Sequence, residues 1–107
     1  MYVSNPLRQY QKQAVLSASP LELIDKLYGI GLAAAQNNDA PRTQRALIEL
    51  AAALDLENGG EIAENLSALY DFALRSTASG DFPIVVELLS GLRQAWRTAS
   101  ETPTALA

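Results

Sequence analysis

The run Gly59-Gly60-Glu61-Ile62-Ala63-Glu64-Asn65-Leu66-Ser67-Ala68-Leu69-Tyr70-Asp71-Phe72 leaves this chain few folds to choose from. Two adjacent glycines, which reach φ > 0 without a Cβ penalty, suit a helix C-cap and a sharp reversal. Ile62, Leu66, Leu69 and Ala73 then recur at spacings of four, three and four, which is one apolar stripe of a helix. Asn58 and Glu61 stand three apart, as in a capping box. The stretch predicts the turn of a helical hairpin. Gly59 and Gly60 end one helix, and Ile62, Leu66 and Leu69 seat the next.

The rest of the chain reads the same way. Residues 1–18 form a polar arm in which Leu7, Tyr10 and Ala14 fall at helical spacing. Ser19-Pro20-Leu21-Glu22 then combines an N-cap serine, a proline at the first helical position and a glutamate at N3. The helix it starts carries two adjoining stripes: Leu23, Leu27, Ile30 and Ala34, then Ile24, Tyr28, Gly31 and Ala35. So wide an apolar face implies contact with more than one neighbour. Asn37-Asn38-Asp39 stops this helix, and Asp39 with Pro41 opens the second, striped by Leu47, Leu50 and Leu54 and ended by Gly59 or Gly60. The third helix runs to about Arg75. After a turn at Ser76, Ser79 and Gly80, Asp81-Phe82-Pro83 starts a fourth, which carries Val85, Leu88, Leu89, Leu92, Trp96 and Ala99 and gives out before Pro103. Short turns make sequence neighbours antiparallel. The expectation is an all-α, up-down-up-down four-helix bundle over 19–100, with an N-terminal arm over 1–18 and a disordered tail over 101–107. No β pattern and no long repeat is read from it.

Composition narrows the function classes. A chain of 107 residues, 49% hydrophobic and rich in alanine and leucine, suits one helical domain. It has no cysteine and no histidine, so disulfides, zinc thiolates and the commonest general base are excluded. Glu61 and Glu64 at i, i+3 resemble half of a di-metal site, but such bundles also need Glu-x-x-His pairs; acidic residues in a first turn complement the macrodipole instead. Ser17, Ser19 and Thr77 have no base beside them to activate a nucleophile, and Gly59-Gly60 lacks the lysine of a P-loop. Neither enzyme activity nor a cofactor nor a metal is expected. A net charge of −4 with eight scattered basic residues argues against nucleic acid. The N-terminus has no signal pattern, and no apolar run approaches the roughly 20 residues of a membrane span; the expected location is the cytoplasm. The aromatics Tyr28, Tyr70, Phe72 and Trp96 read first as core, although tyrosine and tryptophan also anchor interfaces; the wide first helix and the arm then suggest a module whose groove receives a partner helix.

Four motifs, in order, resemble the FliS family of flagellin-specific export chaperones. They are Tyr10-Gln11 with Val15, Ala18-Ser19-Pro20 followed by Leu27-Tyr28, the run from Leu54 to Phe72, and Leu92-Arg93-Gln94-Ala95-Trp96. The resemblance covers about residues 5 to 99. It implies a chaperone that binds the C-terminal segment of flagellin, which folds into helices along apolar surfaces of the bundle. Binding would prevent premature polymerisation and aid delivery to the export gate protein of the flagellar secretion system. It also implies an arm that covers part of the client surface and moves aside. By resemblance and stripe position, the partner-binding residues are Leu7, Tyr10, Val15, Leu23, Leu27, Tyr28, Leu50 and Tyr70. Ser19, Pro20, Gly59, Gly60, Ile62, Leu66, Leu69 and Trp96 would be structural.

The chain departs from the family in two respects. The usual Leu-Tyr-Asp-Gly-Ala run stands here as Leu27-Tyr28-Gly29-Ile30-Gly31. Both hairpins are shorter, the first by about two heptads and the second by about one, which implies a bundle trimmed at one end. A second expectation of a different class is a self-associating helical adaptor, a homodimer that buries the same faces against a second copy.

Overall fold

The computed structural model describes residues 20–100. The arm over 1–18, Ser19 and the tail over 101–107, with the expectations placed on them, lie outside the described residues. Four α-helices follow one another: α1 (Pro20–Gln36), α2 (Ala40–Ala52), α3 (Gly60–Ala78) and α4 (Phe82–Ser100). There is no strand among the described residues. Each helix packs on its sequence neighbour, and α1 closes the ring against α4. Direction follows from the pairing of α1 with α4. Leu21 at the start of α1 meets Trp96 late in α4, Asp25 meets Arg93 and Arg97, and Gly31 lies against Leu89. The two helices therefore run antiparallel, as a four-helix bundle of this topology requires. Tyr28, Ala35, Leu47, Leu50, Tyr70, Ala73, Val85 and Leu89 form the core.

The α1–α2 and α3–α4 turns are built alike. Asn38 (φ 56°) and Gly80 (φ 84°) adopt the left-handed conformation just past their helices. Asp39 N–H then bonds the Ala34 carbonyl at 2.9 Å and Asp81 N–H the Ser76 carbonyl at 2.8 Å. Asn38 N–H and Gly80 N–H reach Ala35 and Thr77, each at 3.1 Å. This is the Schellman arrangement, which satisfies carbonyls orphaned at a helix end. The same aspartates cap the next helix: Asp39 Oδ1 accepts from Arg42 N at 3.2 Å and Asp81 Oδ1 from Ile84 N at 3.5 Å. One aspartate thus serves both helix ends, its backbone N–H closing the first and its carboxylate capping the second, and Pro41 or Pro83 in the first turn fixes the start.

That likeness corrects one reading of the sequence. Tyr28 and Tyr70 stand 42 residues apart, and so do Asn38 and Gly80, Asp39 and Asp81, Pro41 and Pro83, and Leu47 and Leu89. The chain does contain a long repeat, a helical hairpin used twice.

The central double glycine is also reassigned. Helix α2 ends at Ala52 with Ala53 as its C-cap, well before Gly59 or Gly60 could end it. Residues 53–59 form a loop. There Asn58 bonds Asp55 through both its backbone N–H and its side-chain amide, at 3.1 and 3.0 Å. The expected capping box does not form, and Gly59 is the N-cap of α3 with no side-chain bond. Both glycines have a reason to be there. A Cβ on Gly59 would come within 2.5 Å of the Asp55 carbonyl oxygen and 2.6 Å of Ala63 Cβ, and Gly60 has φ 60°. Helix α3 also outruns its expected end at Arg75, continuing to Ala78.

Ile62 is 73% exposed, so it does not belong to the core stripe of α3. The buried face is one residue on: Ala63, Tyr70, Ala73 and Thr77, with Leu66 half-buried beside them. Ile30 of α1 is likewise half exposed, and the stripe through Tyr28 and Ala35 faces the core instead.

Candidate functional site

At the end of the bundle where α1 begins and the 53–59 loop crosses, the core opens into a hollow of about 230 Å³. Ile24, Leu50, Leu54, Ala63, Leu66 and Trp96 make its walls, with Tyr28 and Tyr70 also lining it. Asp55 and Gly59 contribute one lip and the exposed Ile62 another. Trp96 is fixed there because its Nε1 donates to the Leu21 carbonyl at 3.1 Å, tying late α4 to early α1.

A second tie lies one turn along. Arg93 and Arg97 each place Nε and Nη2 on the carboxylate of Asp25, at 2.8–3.2 Å. Hydrogen bonds from Arg97, then from Arg93, hold the Asp25 carboxyl well below the usual carboxylate range. Gly29 makes room for this clamp, since a Cβ there would meet Arg93 Nη2 at 2.8 Å. The α1–α4 seam beside the hollow is therefore braced.

The two tyrosines set the polar character of the site. Their hydroxyls lie 2.6 Å apart and both residues are 2% exposed. The rings are tilted by 54° with centroids 6.4 Å apart. Burial pushes both phenols above their ordinary pKa; for Tyr70 the bond to Tyr28 adds to the rise. Both are neutral at physiological pH. Each hydroxyl can donate once and accept, so after one donates to the other a single O–H remains to be offered. An apolar hollow with one donor at its base suits the side of a helical or extended segment carrying aliphatic residues.

Three of the expected partner-binding residues, Tyr28, Leu50 and Tyr70, meet in this hollow. So do Gly59, Ile62, Leu66 and Trp96, expected to be structural. Leu23 is half-buried outside its lining, and Leu27 packs on the core. Leu69 lines a separate groove between α3 and α4. Leu7, Tyr10, Val15 and Ser19 lie outside the described residues, as does the side chain of Pro20. Ile24, Leu54 and Ala63 were missed. Ile24 had a visible signal, four residues before Tyr28 on the stripe that became the core. Leu54 did not, because it acts from a loop rather than from the helix its spacing suggested.

Among the described residues, no group of three acidic, histidine or cysteine side chains could hold a metal. None of their helices is long and apolar enough to cross a membrane.

The family profile described as "Flagellar protein FliS" matches residues 31–103. The flagellar secretion chaperone FliS of Salmonella typhimurium is 32% identical over 126 aligned positions, covering 94% of this chain and 93% of that protein. An alignment longer than this 107-residue chain must carry gaps on its side, which is what shorter hairpins require. No solved structure matches. With a family profile across most of its helices and a relative matched over nearly its whole length, the chain belongs to the FliS family of flagellar secretion chaperones.

Proposed function

We propose that this protein is a cytoplasmic export chaperone that binds the C-terminal helical segment of flagellin, keeps it from polymerising early and aids its delivery to the export gate of the flagellar apparatus. The observation that carries this reading is the apolar hollow at the bundle end, where Tyr28, Leu50 and Tyr70 come together. A segment unstructured when free gains most from such a surface, because folding onto it buries its apolar face as it orders. The seat needs only shape and one hydrogen bond, so neither a cofactor nor a catalytic group enters this reading. The N-terminal arm, with Leu7, Tyr10 and Val15, enters the bundle at Pro20, on the same end as the hollow. It would cover this surface until the client displaces it.

Titration of the full chain with a peptide of the C-terminal segment of its cognate flagellin is expected to give binding heat and a gain in helicity by circular dichroism. Ile62→Asp charges an exposed lip without disturbing the core, so it should weaken binding while leaving the melting temperature unchanged. No heat and no helicity change with the wild type would overturn the reading. A homodimer would bury the same surface. Sedimentation that shifts to a dimer with concentration, and a dimer that excludes the peptide, would favour the self-associating adaptor.

A further inference from the structure

The hollow at the bundle end is built from the repeat. Its walls contain three pairs of residues that stand 42 positions apart: Ile24 with Leu66, Tyr28 with Tyr70, and Leu54 with Trp96. Each hairpin therefore contributes the same three positions. The helices contact one another in the order α1, α2, α3, α4 and back to α1, which puts α1 opposite α3 and α2 opposite α4. Exchanging the two hairpins thus amounts to a half-turn about the bundle axis, and the hollow opens at the end of that axis. The same half-turn reverses any segment that lies across the opening. Were the hairpins identical, the seat would hold a segment equally well in either direction.

Charge at the rim breaks this equivalence. Asp55, next to Leu54, is the one charged side chain among the described residues that line the hollow. Its counterpart 42 positions on is Arg97, which is turned onto Asp25 and lies outside the lining. The Asn58 side-chain amide and backbone N–H donate to Asp55 at 3.0 and 3.1 Å. These bonds hold its carboxyl below the ordinary carboxylate range, so it is ionised at physiological pH. The hollow has an anion at the Leu54 corner and an indole at the corner opposite.

We propose that Asp55 sets the direction in which the client lies: the helix that forms on binding seats its N-terminal end against Asp55 and runs toward Trp96. The proposal rests on the reading of the hollow as the client seat. A helix exposes unsatisfied N–H groups and partial positive charge at its N-terminus, and carbonyls with partial negative charge at its C-terminus. One direction brings the N–H groups to the Asp55 carboxylate; the other brings the carbonyls there and is repelled. Asp55 is a specificity-determining residue of the seat, and what it reads is the polarity of the segment.

Trp96, the only tryptophan of the chain, reports that direction. Two synthetic peptides of the C-terminal segment of the cognate flagellin each carry one nitroxide, N-terminal or C-terminal to the apolar stretch, and each is added to the full chain at saturation. The C-terminal label is expected to quench Trp96 at least about twofold more strongly than the N-terminal one. Asp55→Asn keeps a carbonyl oxygen for the Asn58 N–H. It should lower affinity about two- to fivefold at low salt, less as salt rises, and bring the two quenching values together. Asn58→Ala removes the side-chain bond to Asp55 and leaves the charge, so the quenching preference should survive in it. Equal quenching by the two labels, stronger quenching by the N-terminal one, or a preference that survives Asp55→Asn overturns the proposal while flagellin binding stands. So does a preference lost equally in Asn58→Ala, which makes Asp55 a loop-shaping residue. A peptide that does not bind at all overturns the client seat, and the direction with it.

Discussion

The two hairpins share a turn, a capping device and a core position for each tyrosine, yet they close differently. Helices α1 and α2 pack along much of their length, whereas α3 and α4 touch less extensively and leave a groove. The contact residues account for this. Gly31 sits so close to α2 that a Cβ on it would come within 3.2 Å of Ala46 Cβ. The residues 42 positions on are Ala73 and Leu88. The glycine–alanine pair lets α1 and α2 come together, whereas the larger alanine and leucine at the matching positions leave α3 and α4 less room to do so, since interaxial distance follows the side chains at the crossing. Turn chemistry thus sets the direction of a hairpin, and volume at the contact sets its spacing.

The largest expected effect tests whether the hairpins, so different at their surfaces, contribute equally to one core. Leu47 and Leu89 occupy matching positions and both are 0% exposed. Leu47→Ala and Leu89→Ala should each cost about 2–5 kcal/mol. Chemical denaturation should show a single transition in both variants, shifted by similar amounts. A loss below about 1 kcal/mol for only one of them would mean that its hairpin can relax independently.

A smaller effect probes the joint between the repeats. Tyr28 and Tyr70 are the same residue of each hairpin, and their hydroxyls bond to one another. Tyr28→Phe leaves the Tyr70 hydroxyl buried without its partner, at a cost of about 1–3 kcal/mol, and Tyr70→Phe does the reverse. Replacing both removes the stranded group, so the double variant should cost clearly less than the sum. Additive losses in a double-mutant cycle would show that each phenol finds another partner.

The same pair shows how far the sequence could be read. The starts of α2 and α4 were legible because each rests on local chemistry: Asp39 with Pro41 and Asp81 with Pro83 act within one turn of themselves. The bundle followed from stripes that include Tyr28, Leu47, Leu50 and Leu89, all of them core residues. The repeat was also written in the chain, in Leu27-Tyr28 against Leu69-Tyr70 and in the two Asp-x-Pro starts, but so few identities stand out only once the turns are seen to superpose. The end of α2 was not legible. Leu54 keeps the helical spacing of its stripe while sitting in a loop held by Asp55 and Asn58, and the glycines that looked like the end of α2 begin α3. Of the hollow, the tyrosines and Leu50 were within reach, because they lie on helical stripes. Its loop-borne wall and the outward turn of Ile62 depend on how α3 rotates against α2, which spacing along one helix does not fix.

The smallest effect separates the two contacts most directly. Gly31 and Gly91 are both helix-interior glycines, so alanine at either position gains about 0.5–1 kcal/mol in helix propensity and reduced unfolded-state entropy. At Gly91 nothing opposes that gain, and Gly91→Ala should raise stability by about that amount. At Gly31 the new methyl meets Ala46 Cβ at 3.2 Å and Leu89 Cδ1 at 3.3 Å. Relieving that contact means moving α1 from α2 in the tightest part of the bundle, at a cost comparable to the gain or above it. Gly31→Ala is therefore expected to be neutral or destabilising, a difference of about 1 kcal/mol or more between two chemically identical substitutions. Equal stabilisation by both, measured from urea midpoints at constant slope, would mean that Gly31 does not set the α1–α2 distance. The contrast with α3–α4 would then have to come from Leu88 alone, as the wedge that keeps the second hairpin open.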